Sequence, residues 1–166
     1  GQDDLPIGIV APVSLIKNWQ EEYKKFIEPD IWGEPLILHG STIREYKVNR
    51  RPKGIEDYLE PGLDIENISF LDVERIQKHK IVLTTYDTIR NYQLSLGVIH
   101  WRMLILDEAQ KIKNPKSRIS MAVRGMNYDF ALALTGTPVE NSWIDLWTIL
   151  SFCRNNTGIS LDEFIK

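Results

Sequence analysis

Five short apolar runs, each leading into a segment with helical spacing, constrain this chain more than any single residue does. They are Ile7 to Ala11, Leu36 to His39, Ile81 to Thr85, Met103 to Leu106 and Phe130 to Leu134. Each is too short for a stable helix and ends at Pro, Gly, hydroxyl or charged residues, as strands do. They are continuously apolar rather than alternating, which is the pattern of parallel strands buried on both faces. Between them, Leu15, Trp19, Tyr23 and Phe26 step by four, four and three and predict one buried helix face, with Ser14 at the N-cap position. Tyr86 to Tyr92 and Ser117 to Arg124 read as two further helices. A last helix from about Ser142 is expected to bury Trp143, Leu146, Trp147 and Leu150. The alternation predicts an α/β domain, a mostly parallel sheet with helices on both faces, whose functional edge is formed by the loops after the strands.

One stretch breaks the alternation. Residues 41–80 carry Pro52, Gly54, Pro61 and Gly62 and no sustained period, so an irregular excursion is expected, with Leu71 and Ile76 in a short helix returning to the sheet. Its first part holds Arg44, Lys47, Arg50, Arg51 and Lys53; the part from Glu56 to Glu74 is acidic throughout. Such blocks are either solvated loop and short helix or a nucleic-acid or partner surface.

Composition narrows the class. With 166 residues, 43% hydrophobic and 26% charged, the chain can build one globular core. A net charge of −3 excludes a uniformly basic nucleic-acid binder but not a local basic groove. Its single cysteine, Cys153, offers neither an internal disulfide nor a cysteine metal cluster, as expected of a reducing, intracellular setting. No apolar stretch reaches the roughly 18 residues of a membrane span, and no secretory signal opens the chain, so a soluble protein with no membrane partner is expected. His39, His79 and His100 show no ligand spacing, and Trp19, Trp143 and Trp147 read as core.

The run at Met103 stops at Asp107 and Glu108, two carboxylates at the carboxyl end of a buried strand. Mg²⁺ prefers carboxylate and water oxygens, so the first acid can hold the metal while the second orients or deprotonates an attacking water. A strand followed by a solvated Asp-Glu turn fits the same residues.

Four stretches together carry a family resemblance. Ile9 to Trp19 looks like motif Ia, Val82 to Thr88 like motif Ib, Asp107 to Asn114 like motif II (the Walker B box), and Leu134 to Asn141, followed by Leu146 and Trp147, like motif III of the Swi/Snf family of ATP-dependent DNA translocases, within helicase superfamily two. The resemblance implies a RecA-like three-layer domain. Residues 1–152 would be part of the first helicase lobe, incomplete at the N-terminus, and 153–166 the start of the connection beyond motif III. Gln110 stands where the family commonly has His, and both can hydrogen-bond toward the phosphates or motif III. No Gly-Lys-Thr or Gly-Lys-Ser phosphate loop occurs in the sequence, so motif I and the second lobe with its arginine fingers would lie outside it.

By the same resemblance Asp107 would hold Mg²⁺, Glu108 would act on the water, and Gln110 with Thr135, Gly136 and Thr137 would couple nucleotide state to lobe closure. Pro12, Ser14, Lys17, Thr84 and Thr85 would contact the nucleic-acid backbone. Structural readings compete with the last two sets: Ser14 as a helix cap, Thr84 as a strand residue, and Thr135 to Thr137 as a strand-end turn with hydroxyl caps. The implied cofactors are ATP and Mg²⁺ in the parent enzyme, and the implied partners are double-stranded DNA, the second lobe and a DNA-bound protein target. The location would be cytoplasmic and nucleoid-associated in a bacterium, or nuclear in a eukaryote. An RNA helicase of the same superfamily and a non-catalytic interaction module are the alternatives; the Lys111-Ile112-Lys113-Asn114 and Val139-Glu140-Asn141 tails resemble the translocases.

Overall fold

The five apolar runs form five parallel strands of one sheet. A computed structural model describes residues 5–58, 68–137 and 143–154, with Ser160 and Glu163. The strands are β1 (Ile7–Ala11), β2 (Leu36–Leu38), β5 (Ile81–Thr85), β6 (His100–Asp107) and β7 (Asn127–Leu134), in the order β2-β5-β1-β6-β7. Every neighbouring pair is parallel. The last two begin earlier than their apolar runs because His100 and Asn127 already pair across the ladder and the His100 ring meets the Asp129 carboxylate at 2.7 Å. Such polar strand starts carry no hydrophobic signal.

Helices cover both faces. On one, α1 (Ile16–Phe26) packs Ile16 and Tyr23 over Ile9, Ala11, Ile81 and Leu83. On the other, Val10, Leu38, Val82, Leu104 and Leu106 meet α5 (Tyr86–Asn91), α6 (Gln93–Gly97), α7 (Arg118–Arg124) and α8 (Trp143–Cys153). Ser117 caps α7 by accepting from Ser120 N, and Thr85 caps α5 by accepting from Thr88 N, so both helices start where a hydroxyl precedes them.

Ser14, in contrast, caps nothing. A 3-10 turn over Val13–Leu15 follows Pro12, α1 begins at Ile16, and neither start has a side-chain cap. The predicted α1 face also rotates: Ile16 is buried, Leu15 and Trp19 are half-buried, and Phe26 is exposed with the Lys25 ammonium 4.7 Å from its ring centre. The last helix exists but shows a different face from the one expected. Trp143 is 70% exposed and Leu150 is exposed, while Ile149 and Phe152 are buried with Thr148 and Ser151. That helix is apolar nearly all round, so spacing could not select its inner side; the Tyr128 hydroxyl, donating to Phe152 O at 2.8 Å, and the tilted contact of the two rings do. Its expected start at Ser142 lies outside the described residues.

The excursion is more ordered than its composition predicts. It holds α3 (Thr42–Tyr46), a two-stranded antiparallel sheet of β3 (Lys47–Val48) and β4 (Phe70–Leu71), and α4 (Val73–Ile76), while the short α2 (Pro29–Trp32) precedes β2. Leu71 therefore lies in a strand, and Ile76 in the short helix. The basic first part meets the acidic second part: Arg50 lies 3.4 Å from Glu74 and 3.6 Å from Asp72, and Lys53 lies 3.9 Å from Glu74. Residues 59–67 fall outside the described part.

Among the described residues, one sheet face is only half covered. Directly paired residues point to the same side, and the pairs Ile9–Ile105 and Ile105–Leu132 turn the Leu132 side chain to the α1 side. There Phe130, Leu132 and Leu134 remain 61, 45 and 38% exposed, beside an apolar groove of about 380 Å³ between α1 and the sheet.

Candidate active site

Parallel pairing brings the carboxyl ends of β1, β5, β6 and β7 to one edge. Ala11 pairs with Thr85 and Asp107 with Leu134, so the loops of the expected motifs Ia, Ib, II and III all leave from that edge. Tyr86 locks two of them together: its hydroxyl donates to the Asp107 backbone carbonyl at 2.7 Å. Burial, reinforced by the charges of Asp107 and Glu108, pushes this phenol well above the ordinary tyrosine range.

Both oxygens of the Asp107 carboxylate are engaged. Oδ1 accepts from Glu108 N at 2.9 Å and Oδ2 from the Trp19 indole Nε1 at 2.8 Å. Glu108 itself has φ 54° and ψ 51°, the one non-glycine residue with positive φ among the described residues. A left-handed glutamate costs on the order of 1–3 kcal/mol and persists only where its surroundings impose it. Here the following 3-10 turn, Ala109–Ile112, does so by burying Ala109 and Ile112 in the core, which turns Gln110 and Lys111 outward.

A polar relay then crosses from β6 to β7. Gln110 Nε2 donates to Glu108 Oε2, Thr135 Oγ1 donates to Gln110 Oε1 at 2.7 Å, and Thr137 N donates to Thr135 Oγ1 at 3.2 Å. The structure thus brings together Asp107, Glu108, Gln110, Thr135 and Thr137, with exposed Gly136 between the two threonines. Pro138, Val139, Glu140 and Asn141 lie outside the described residues.

The expected nucleic-acid residues divide into two groups. Pro12 is half-buried, and Ser14 and Lys17 are exposed at the start of α1, Lys17 3.8 Å from Glu21 in a solvent-exposed pair. Thr84 and Thr85 are buried: the Thr84 hydroxyl donates to Leu38 O at 2.9 Å, and Thr85 Oγ1 serves the α5 cap and meets the Thr88 hydroxyl at 2.9 Å.

Sequence reasoning did not assign roles at this edge to Trp19 or Tyr86. The available signal was chemical: an indole N–H or phenol O–H on a buried face needs a partner, and the nearest strand ends supply one.

For Mg²⁺ the donor set fits. No group of three or more His, Cys, Asp or Glu side chains that could hold a metal, and so no closed metal cage, occurs among the described residues. Mg²⁺ is characteristically held by one or two carboxylates, with water and substrate phosphates completing its shell, and Asp107 beside Glu108 supplies that partial hard-oxygen set.

The chain is similar to known proteins along nearly its whole length. The family model described as the SNF2-related domain matches residues 3–166. The Escherichia coli Zorya protein ZorD is 38% identical over 169 residues, covering 97% of this chain and 14% of that protein. The putative ATP-dependent helicase/translocase YwqA of Bacillus subtilis is 33% identical over 166 residues, covering all of this chain and 15% of its own length. Human lymphoid-specific helicase is 31% identical, across 96% of this chain and 17% of its length. Among solved structures, the Sulfolobus solfataricus SWI2/SNF2 ATPase core in complex with dsDNA superposes with a TM-score of 0.67 at 28% identity, covering 99% of this chain and 28% of that one. The chain therefore spans a minor part of each relative. With the matched model running almost its full length, the chain belongs to the SNF2-related domain family.

Proposed function

We propose that this chain forms part of an ATP-dependent double-stranded DNA translocase that remodels protein–DNA complexes, and that it contributes the motif II side of the ATP site together with DNA-backbone contacts. The observation that carries the reading is the relay Glu108–Gln110–Thr135–Thr137, which ties the water-facing carboxylate to the next strand's loop at the carboxyl edge. Asp107 would hold the Mg²⁺ that accompanies the nucleotide, and that ion would supply charge neutralisation to the transferring phosphoryl group. Glu108, half-buried on its left-handed backbone, orients or deprotonates the water, a role typically contributing about 10²–10⁴-fold.

Movement of the Thr135–Thr137 loop, through Gln110, then changes where Glu108 points. This is the coupling between nucleotide state and lobe closure. DNA phosphates are met by the exposed Ser14 and Lys17 beside Pro12, at the amino end of α1, where the helix dipole favours an anion. Thr84 and Thr85 join that contact by exchanging their present partners, Leu38 O and the α5 cap, for phosphate oxygens. Such contacts are sequence-independent and suit tracking along a strand. The parent protein works in the cytoplasm, on the nucleoid if bacterial, or in the nucleus if eukaryotic.

Alone, the chain is expected to be inactive as an ATPase, since it has no Gly-Lys-Thr or Gly-Lys-Ser loop to cradle the triphosphate. The test compares the purified chain with the parent protein. Duplex DNA should stimulate ATP hydrolysis by the parent, RNA should not, and Lys17→Ala should raise the DNA concentration needed for half-maximal stimulation. Turnover by the chain alone, or equal stimulation by RNA, would refute the reading.

A further inference from the structure

Trp19 joins two parts of the molecule that the proposed function treats separately. It lies one turn into α1, two residues beyond Lys17, and its indole donates to Asp107 Oδ2 at 2.8 Å across a sequence separation of 88 residues. We infer that Trp19 is a positioning residue for Asp107, one that fixes the metal-side carboxylate and passes to it any displacement of the DNA-facing start of α1. The inference rests on the site reading given above.

Three features make this more than a buried indole finding an acceptor. First, the carboxylate is clamped at both oxygens, and the two clamps differ in kind. Glu108 N belongs to the same loop and moves with it, whereas the indole belongs to a different element. The indole therefore sets the orientation of the carboxylate relative to the rest of the sheet.

Second, α1 is held against the sheet at its other end. Tyr23 packs in the core beneath α1, and its hydroxyl donates to Gly33 O at 2.7 Å. Ile16 packs on the same strands, so α1 moves over the sheet as one body, and Trp19, between Ile16 and Tyr23, moves with the exposed Ser14 and Lys17 at its DNA-facing end.

Third, the Trp19 ring borders the open apolar groove with Ile9, Tyr23, Phe26 and Ile105. Its half-buried ring has room to shift, unlike the fully packed Trp101 on the opposite face. A partner that orients a metal-binding carboxylate typically changes metal affinity or activity 10- to 100-fold when removed. One hydrogen bond from an exposed-side helix belongs at the lower end of that range.

The experiment uses the parent protein and reads two independent signals. The first is the Trp19 indole N–H resonance, identified by its loss in Trp19→Phe. It should move when Asp107→Asn removes the charged acceptor, and move again when duplex DNA binds. The second is the Mg²⁺ concentration giving half-maximal ATP hydrolysis, which should rise roughly tenfold in Trp19→Phe.

Tyr23→Phe is the control. It removes a hydrogen bond of similar length from the same helix but keeps the packed ring that seats α1 on the sheet, and should leave the Mg²⁺ dependence at the wild-type value even if it lowers the melting temperature. An indole resonance indifferent to Asp107→Asn overturns the inference. So does an unchanged Mg²⁺ requirement in Trp19→Phe, or a shift equally large in Tyr23→Phe; in these cases the ATP-site reading stands. A parent protein that hydrolyses no ATP sinks the site reading itself, and this role with it.

Discussion

Tyr86→Phe isolates the bond that joins the start of α5 to the carboxyl end of β6. The ring of Tyr86 is 5% exposed and would stay packed as Phe, so the change removes only the hydroxyl that donates to Asp107 O at 2.7 Å. Loss of one neutral hydrogen bond removes about 0.5–1.5 kcal/mol, and a carbonyl left without its donor in a part-buried site brings the expected cost to about 1–2 kcal/mol. For a chain of this size that corresponds to a melting temperature lower by about 2–8 °C at pH 7.

The pH dependence makes the prediction specific. The folded phenol is held well above its ordinary value, first by burial and then by Asp107 and Glu108. A group whose folded pKa is raised contributes stability that is fully present below the unfolded pKa, near 10, and is lost as the pH rises above it. By pH 11 the unfolded phenol has ionised while the folded one has not, which removes about 1.4 kcal/mol from the wild type and nothing from the variant. Other titrating groups are common to both and cancel in the difference. Urea unfolding of the two chains at pH 7, 9 and 11 should therefore show a gap that is constant to pH 9 and nearly closed by pH 11. A gap independent of pH would refute the assignment of this phenol as buried and bonded to Asp107 O.

Two more variants, one single and one double, test the packing of the sheet. A Cβ at Gly8, in the middle of β1, would lie 2.7 Å from Leu104 Cδ2 and 3.1 Å from the Trp101 ring. Gly8→Ala should therefore destabilise the chain by about 1–3 kcal/mol in chemical denaturation, and no loss would mean that Leu104 can move aside freely. On the half-covered face, the double change Phe130→Ser and Leu132→Thr should reduce self-association of the isolated chain in sedimentation velocity, because it removes exposed apolar surface from the outermost strand. Unchanged association would place the contact elsewhere.

The sheet was legible because its strands are apolar on both faces. Ile7–Ala11 and Ile81–Thr85 end where their apolar runs end, and the carboxyl-edge position of Asp107 follows from that alone. Less legible were features decided by a partner distant in sequence. Ser14 looks like a cap, but Pro12 starts a 3-10 turn first, and the helix that follows needs no side-chain cap. Trp143 looks like core, yet Tyr128 draws Phe152 inward and turns Trp143 to solvent. The charged excursion reads as solvated, while the β3–β4 ladder and the buried Tyr46, Leu71 and Ile76 fold it onto itself, with Arg50 and Glu74 as an exposed ion pair across it.

At the site, the carboxylates and their hydroxyl-bearing neighbour loop could be named from residue type and order. What could not be named was the wiring: the left-handed backbone of Glu108, the Gln110–Thr135 bond, and the indole on Asp107. Each depends on a three-dimensional juxtaposition that no local pattern encodes.

The most direct test of the account is Glu108→Gln in the parent protein, a change that keeps side-chain size and the capacity to bond Gln110 while removing the base. Duplex-DNA-stimulated ATP hydrolysis should fall by about 10²-fold or more, with Mg-ATP and DNA still bound at wild-type concentrations. Hydrolysis at the wild-type rate would contradict the assignment of this carboxylate to the attacking water, and with it the central claim that Asp107 and Glu108 form one side of a nucleotide-hydrolysing site.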